Sequence, residues 1–349
     1  MTKEHLNVYI QKEDSIYLKG WAILIMVYLH VFGARAIDLP AYQSIHDVYI
    51  HGELLSYILS KFCSICVHLY ILLSGYGFYI LYRRKVDQNA SMRRFQRFVT
   101  LICKVAIIGC IFYPISLLYP DLGWNLNHIY QLFLGYEGNY EWWFLRPYII
   151  ILLFSFQIIS VFDKYPVRTS IISICLYFFV KLLIYNNIRV VPLIVEQLFI
   201  LLPAFFIGIS LAKWGFLVVA RRYSLRIRNI FIAWVVLLVL IIYKSILPFG
   251  VIDFLIAGVF VFCAIIIRPC FGKNAGLLIK LGREATSIWL IHTFIAIYYW
   301  ADIIYSFRYP IIIYIAVLIC SYICSKAIAV LYNPCLLYTS PSPRDGLLS

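Results

Sequence analysis

The chain alternates between long apolar runs and shorter polar stretches, and this pattern predicts its secondary structure. Each apolar run is about 20 residues long, the length that an α-helix needs to cross the hydrocarbon core of a bilayer. Because lipid offers no hydrogen bonds to an exposed backbone, such runs predict helices. Ten spans are predicted, near residues 18–38, 54–82, 98–118, 142–162, 167–185, 193–213, 229–247, 251–267, 284–304 and 309–331.

Composition excludes a water-soluble globule. Of the 349 residues, 63% are hydrophobic and 13% are charged, whereas roughly a quarter of a soluble domain is charged. Mean hydropathy is +0.88. Outer-membrane barrels show short alternating segments, and the unbroken apolar runs of this chain do not fit that pattern. The sequence therefore predicts an all-α polytopic integral membrane protein of about ten transmembrane helices.

Basic residues give the chain a formal net charge of +14, and they are distributed unevenly among the predicted loops. The loops after spans two, four, six and eight are basic, whereas the alternate loops are mainly acidic. Lys and Arg between spans mark the cytoplasmic side. We therefore predict a multi-pass protein of the inner (plasma) membrane with both termini cytoplasmic, and no nucleic-acid partner. The basic residues are Arg83, Arg84, Lys85, Arg93, Arg94, Arg97, Lys164, Arg168, Lys213, Arg221, Arg222, Arg226, Arg228, Arg268, Lys273, Lys280 and Arg283.

The ten cysteines lie mostly inside apolar runs, where thiols pack as small hydrophobic groups. Even the pair Cys63 and Cys66 is interpreted as packing, because no second pair follows at the spacing of a zinc site. No metal site is predicted.

The C-terminal residues 335–349 are rich in Ser and Pro and break the apolar pattern. They resemble adaptor sequence translated at the end of an assembled reading frame. We therefore predict a single membrane domain over residues 1–334, followed by a non-native tail.

Three histidines lie near the middle of predicted spans: His30, His68 and His292. Ionisable side chains inside a bilayer are costly and mark functional sites, although a single buried His also serves as a hydrogen bond between helices. Lys19 precedes His30 by eleven residues, a spacing that returns to within about 20° of the same helix face about 16 Å along the axis. On one helix face, Lys19 would place a cation at the level of the lipid headgroups and His30 a titratable base near the bilayer midplane. Lys19 alone also suits an interfacial anchor.

The same segment resembles the first span of the membrane acyltransferase-3 family, in which a basic residue is followed by ten residues and then His. Lys19 and His30 occupy these positions, with Lys where Arg is commoner in the family. Ser74-Gly75-Tyr76 resembles the family's Ser-Gly-aromatic turn late in span two.

Three later segments are similar to motifs of the same family, and they occur in the same order. Arg94 and Arg97 match its Arg-x-x-Arg motif before span three, and Trp143 begins its Trp-Phe-Leu motif at span four. Ser287 and His292, separated by four residues, resemble its late helix with Gly, Ser and His. The resemblance extends over residues 16–292.

This resemblance implies an enzyme that transfers an acyl group, usually acetyl, from cytoplasmic acyl-CoA to a hydroxyl of a cell-surface or exported glycan or its lipid-linked precursor. Acyl-CoA would be a co-substrate, no permanently bound cofactor is expected, and the other partners would be the acceptor and membrane lipids. The alternative is a transporter or flippase of lipid-linked sugars, which would also use many helices with buried polar residues.

Candidate site residues follow from the residue types together with the resemblance. We predict His30 as the general base or as a covalent acyl carrier, with His292 as a second, weaker catalytic candidate. The predicted acyl-CoA-binding residues are Lys19, Arg83, Arg84, Arg94, Arg97, Ser74 and Gly75, and the predicted acceptor-binding residues are Glu141, Trp143 and Arg146. The alternatives are a topology signal for the arginines, helix packing for the small residues and an interfacial aromatic belt for Trp143.

Overall fold

The structure, a computed structural model, describes residues 9–83, 90–119, 139–188, 190–246 and 250–337, and this part of the chain is almost entirely helical. Its α-helices, numbered in chain order, are α1 Lys12–Phe32, α2 Ala34–Ile37, α3 Leu55–Cys63, α4 Cys66–Arg83, α5 Ala90–Phe112, α6 Leu145–Lys164, α7 Pro166–Tyr185, α8 Leu193–Lys213, α9 Phe216–Tyr223, α10 Ile227–Ile246, α11 Asp253–Ile267, α12 Ala275–Thr293, α13 Ala301–Tyr305 and α14 Pro310–Leu337.

Within the described ranges, 9 segments are long and apolar enough to cross a membrane. All ten predicted spans overlap them, because the spans predicted at 251–267 and 284–304 fall in one segment of 47 residues, Asp253–Tyr299. The prediction of an all-α polytopic membrane protein is confirmed. Helix α12 begins at Ala275, earlier than predicted, because its first turns carry polar residues such as Lys280 that an apolar run does not include.

The chain divides into two compact units, and each is assembled from three stretches. The first unit draws on Met1–Ala22, Ser64–Ser91 and Phe144–Gly282. The second draws on Ile23–Cys63, Met92–Trp143 and Arg283–Ser349. Helices α1 and α12 therefore each contribute residues to both units.

Glycines bring the helices of the first unit into backbone contact. A Cβ at Gly75 on α4 would collide with the carbonyl oxygen of Phe205 on α8, and a Cβ at Gly208 on α8 would collide with that of Leu72. Such reciprocal contacts are typical of membrane helices, where small residues let two backbones approach. Helix α4 runs unbroken through Ser74, as the predicted span 54–82 implies, and Gly75 packs against α8.

Helices α1 and α12 approach each other in the same way. A Cβ at Gly20 would collide with the carbonyl of Leu278, and a Cβ at Gly282 would collide with the carbonyl of Ile16. Larger side chains at either glycine would therefore push these helices apart.

Aromatic side chains surround Phe294 in the second unit. Its ring stacks on Phe112 at 4.8 Å between centroids, and it meets Tyr113 and Trp142 edge-on at 5.7 Å and 5.8 Å. Phe294 also opens a π-helical stretch, Phe294–Tyr299, that follows α12 directly. Stretches of π-helix recur at functional sites, and this one carries side chains of the candidate site described below.

A short hairpin is the one extended feature of the described ranges. Strands β1 Tyr49–Ile50 and β2 Glu53–Leu54 pair antiparallel. His51 and Gly52 between them both have positive φ, 50° and 84°, as a two-residue hairpin turn of type I′ requires.

The last helix is longer than its apolar run predicts. Helix α14 continues to Leu337, whereas the predicted span ends at 331. Residues 338–349 of the predicted tail lie outside the described residues.

Candidate active site

Two of the three intramembrane histidines meet in the second unit. His30 lies in the last turn of α1 and His292 in the last turn of α12. His30 Nδ1 is 2.8 Å from His292 Nε2, and the ring centroids are 5.0 Å apart. His292 is fully buried, whereas His30 is partly exposed. The structure thus brings together the two residues predicted to be catalytic.

The partners of the two rings determine which nitrogens carry hydrogen when both are neutral. His292 Nδ1 lies 3.0 Å from the carbonyl oxygen of Ile288, and since a carbonyl only accepts, this nitrogen donates. In a neutral ring Nε2 of His292 is then an acceptor, so His30 Nδ1 donates to it. Among the described residues His30 Nε2 has no hydrogen-bond partner. Its lone pair is therefore available to take a proton.

Glu141 lies in the same unit and both of its carboxylate oxygens are occupied. Arg35 Nη1 donates to Oε1 at 2.8 Å, and the Tyr298 hydroxyl donates to Oε2 at 2.8 Å. The Arg35 guanidinium also lies over the rings of Tyr140 and Tyr298, at 5.2 Å and 5.3 Å. The Glu141 side chain is 3% exposed and that of Arg35 is 44% exposed. The ion pair therefore has a buried anionic end and an accessible cationic end.

Two hydrogen-bond paths connect the Glu141 segment to α12. Asn139 Nδ2 donates to Thr293 Oγ1 at 2.7 Å, and the backbone N–H of Glu141 donates to Asn139 Oδ1 at 3.2 Å. The indole N–H of Trp142 donates to the carbonyl of Leu290 at 3.2 Å. Thr293 and Leu290 lie on either side of His292 in α12. These bonds therefore couple the position of the Arg35–Glu141 ion pair to that of the histidine pair.

Several predicted site residues lie in the first unit. Lys19 is exposed on α1, and Arg83 is exposed at the end of α4 with Nη1 3.9 Å from Asp163 Oδ2. The Ser74 hydroxyl donates to the carbonyl of Tyr70 at 2.9 Å, within its own helix. The remaining members are Gly75, which packs against α8, and the partly exposed Arg146 on α6.

The other predicted residues belong to the second unit or lie outside the described residues. Arg94 and Arg97 are on α5, where Arg94 is half-buried and Arg97 exposed. Trp143 is half-buried in the 3₁₀ helix Tyr140–Phe144 that carries Glu141. Arg84 lies outside the described residues.

The sequence analysis did not select four residues of this site: Arg35, Asn139, Thr293 and Tyr298. Arg35 lies within the predicted span 18–38. The criterion that identified the histidines, the energetic cost of an ionisable side chain in the membrane, would therefore have identified Arg35 as well. Tyr298 gave no comparable signal, because the chain has 29 tyrosines.

Metal ions in proteins are held by groups of His, Cys, Asp or Glu side chains that lie close together. In the part of the chain that the structure describes, no three His, Cys, Asp or Glu side chains are grouped to hold a metal ion.

Comparison with protein families gives one match. A family profile that describes an acyltransferase domain matches residues 13–330, a range that contains the histidine pair and the Glu141 segment. No curated protein and no solved structure matches the chain.

Proposed function

The chain belongs to the acyltransferase-3 family of membrane acyltransferases, and from this premise we propose that it transfers an acyl group, in the first instance acetyl, from cytoplasmic acyl-CoA to a hydroxyl of a cell-surface or exported glycan. The observation that carries this proposal is the hydrogen-bonded pair of His30 and His292, which leaves His30 Nε2 available as a base. Acyl-CoA is a co-substrate, and no resident cofactor takes part.

In the proposed reaction His30 is the general base. The acceptor oxygen attacks the thioester carbonyl carbon while His30 Nε2 takes the hydroxyl proton. The tetrahedral intermediate collapses with cleavage of the C–S bond, and the leaving CoA thiolate takes the proton back from His30. His292 is a positioning residue, because its Nε2 accepts the Nδ1–H of His30 and this bond strengthens while His30 is charged. General-base catalysis of this kind contributes about 10² to 10⁴ in rate.

The ion pair of Arg35 and Glu141 is proposed to bind the acceptor. Both Glu141 oxygens are already occupied, so we assign Glu141 to holding Arg35 in place rather than to direct contact with the sugar. The accessible guanidinium of Arg35 has further N–H donors for sugar hydroxyls. Trp143 and Arg146 remain acceptor-binding predictions from the sequence.

The donor phosphates are proposed to bind basic residues at the cytoplasmic ends of the helices. The candidates are Lys19, Arg83, Arg84, Arg94 and Arg97, of which Lys19, Arg83 and Arg97 are exposed. Arginine suits this role because its guanidinium binds phosphate through two parallel hydrogen bonds. The proposal keeps both termini cytoplasmic in the plasma membrane, as the distribution of basic loops predicts.

The test is a comparison of surface glycans by mass spectrometry from cells that carry the wild-type gene, no gene or a His30→Ala variant. We expect an acetyl-mass increment with the wild type and its loss in both other strains. Purified protein with radiolabelled acetyl-CoA should show the same difference and identify the donor.

The matched control is His46→Ala, because His46 is an exposed histidine of the same unit. This variant should keep wild-type acetylation. Full acetylation by His30→Ala at equal membrane expression would refute the catalytic assignment. A stable acyl-histidine trapped on the wild type would show covalent catalysis instead of general-base catalysis. Movement of a lipid-linked sugar without acylation would favour a flippase.

A further inference from the structure

A second group of buried ionisable side chains lies within the first unit, and the proposed reaction does not use it. Asp253, the first residue of α11, pairs with Lys244 of α10 at 2.6 Å, and the two side chains are only 6% and 1% exposed. The Ser64 hydroxyl donates to the other carboxylate oxygen at 3.1 Å. This ion pair is therefore removed from solvent and its charges balance each other.

Lys181 of α7 adds a second ammonium group to this pair. A Cβ placed on Gly250 would lie 3.4 Å from Lys181 Nζ and 2.9 Å from Asp253 Oδ2, so the absence of a side chain at Gly250 leaves space between the two charged groups. Lys181 lies over the Tyr177 ring at 5.6 Å, and no carboxylate within the described ranges forms an ion pair with it. The group therefore has two ammonium groups and one carboxylate.

His68 of α4 completes the group, and its imidazole has no partner. The side chain is buried at 6% exposure, and neither ring nitrogen makes a hydrogen bond within the described chain. His68 follows Ser64, the residue whose hydroxyl donates to Asp253, by four residues in the chain. Buried polar atoms in folded proteins almost always have a partner, so a buried imidazole with two unpartnered nitrogens in the same unit as Lys181 points to a site for a ligand that supplies those bonds.

We propose that this cluster of His68, Lys181, Lys244 and Asp253 binds a phosphate group carried by a membrane lipid. An anion would balance the charge of Lys181, and the imidazole N–H would donate to a phosphate oxygen. All four residues lie in segments that can span a membrane, where the ammonium groups of a pocket between helices attract the phosphate of an anionic lipid.

The surroundings of Lys181 are consistent with a ligand that arrives from the lipid. Lys181 is partly exposed, and the neighbouring Phe178 and Leu182 on α7 are 42% and 59% exposed. Apolar side chains exposed on a membrane-spanning helix face acyl chains, so a lipid can lie along α7 while its phosphate reaches the ammonium group. This proposal does not depend on the acyl-transfer reaction, and its test measures lipid binding alone.

The experiment uses the full chain in a neutral detergent, with phosphatidylglycerol, phosphatidylcholine or inorganic phosphate added. Binding is measured by native mass spectrometry and by the shift of the unfolding midpoint. We expect phosphatidylglycerol to bind and to raise the midpoint, and phosphatidylcholine, whose headgroup has no net charge, to do so less. Lys181→Met should weaken phosphatidylglycerol binding by about tenfold, the scale of one lost charge-assisted hydrogen bond.

Two variants make the test specific. Lys181→Arg keeps the charge and should keep binding. Lys164→Met is the matched control, because Lys164 is an exposed lysine in the last turn of α6 that lies over the Tyr165 ring at 5.0 Å, as Lys181 lies over Tyr177. It should bind phosphatidylglycerol as the wild type does. Should Lys181→Met not fold, Lys181→Gln removes the same charge.

Each remaining outcome supports or overturns the proposal. Equal binding of phosphatidylglycerol and inorganic phosphate would support the phosphate site and identify free phosphate as its source. His68→Phe should weaken binding by a smaller factor, about threefold for one neutral hydrogen bond. Equal binding by the wild type and Lys181→Met would overturn the proposal, and Lys181 would then be an interfacial anchor.

Discussion

The histidine pair of the second unit and the cluster of the first unit both place ionisable groups in membrane-spanning segments, but they differ in how completely those groups are partnered. His292 donates from Nδ1 and accepts at Nε2, and Glu141 accepts at both oxygens. In the cluster, His68 has no hydrogen bond within the described chain, and Lys181 has no carboxylate in ion-pair contact there.

This difference separates two uses of a buried polar group. A fully partnered group has one orientation, which is what positioning a reactive atom requires. In the candidate active site the described residues leave His30 Nε2 without a hydrogen bond, on a ring that is partly exposed. An unpartnered group instead marks a place where a ligand would supply the missing bond. Partnering, more than burial, therefore distinguishes His292 from His68.

The largest expected effect is on the stability of the cluster. Lys244→Met should destabilise the protein by about 3–5 kcal/mol, because it leaves the buried Asp253 carboxylate without its counter-ion. The unfolding midpoint in neutral detergent measures this change. The double variant Lys244→Met/Asp253→Asn should recover most of the loss, since the buried Asp253 charge is then removed together with its counter-ion. A double variant no more stable than the single one would show that the ion pair is not what Lys244 contributes.

At the Arg35–Glu141 ion pair of the candidate active site, a smaller loss of stability is expected, and it should differ between the two partners. Arg35→Met should cost about 2–3 kcal/mol, since it leaves the Glu141 carboxylate buried with a single hydrogen bond. Glu141→Gln should cost about 1 kcal/mol, because the Arg35 guanidinium is 44% exposed and water can solvate it. Thermal unfolding of both variants measures the difference. The reverse order would mean that Arg35 is the more buried partner in the folded protein.

The next prediction separates positioning from chemistry within the histidine pair. His292→Ala should lower acyl transfer by about 10- to 100-fold, by analogy with the loss of residues that orient the histidines of metal sites. His292→Gln should retain more activity, because its amide oxygen can accept the His30 Nδ1–H. Turnover with saturating donor and acceptor measures both, with His46→Ala as the control. Equal losses in the Ala and Gln variants would argue against an orienting hydrogen bond.

The fold could be predicted from the sequence further than the site could. Apolar runs about 20 residues long identified every span, since the bilayer sets that length independently of tertiary contacts. The start of α12 was placed too late because helical hydrogen bonding continues through polar turns that an apolar window excludes. The Ser74-Gly75 motif lies inside the predicted span 54–82, and α4 continues through it, with Gly75 in contact with the backbone of Phe205.

At the site, residue type identified candidates but not their partners. The energetic cost of burial pointed to His30, His68 and His292 alike. Only the fold pairs the first with the last, since they are 262 residues apart in the chain. Tyr298 shows the same limit, because its role depends on the position of Glu141, which is 157 residues away in the chain.

The smallest effect is expected at Tyr298. Tyr298→Phe removes the hydroxyl that donates to Glu141 Oε2 and accepts from the backbone N–H of Tyr140 at 3.2 Å. The Arg35 bond to Glu141 remains, and the new phenyl ring can still lie under the guanidinium, so the charge stays balanced. The stability loss should be about 1 kcal/mol, the net value of the bond to Glu141, because water can replace the bond to the exposed Tyr140.

Kinetic measurements on Tyr298→Phe provide a second test of the role of this residue. If Tyr298 acts through Glu141 to hold Arg35, Tyr298→Phe should raise the KM for the acceptor about threefold. It should leave both kcat and the KM for the proposed donor acyl-CoA within error, because the His30 nitrogen proposed to take the proton is untouched. A fall in kcat comparable to that of His292→Ala would instead place the Tyr298 hydroxyl at the reacting atoms. The candidate active site would then contain a second group that acts in the chemical step, and Glu141 would serve to orient that hydroxyl as well as Arg35.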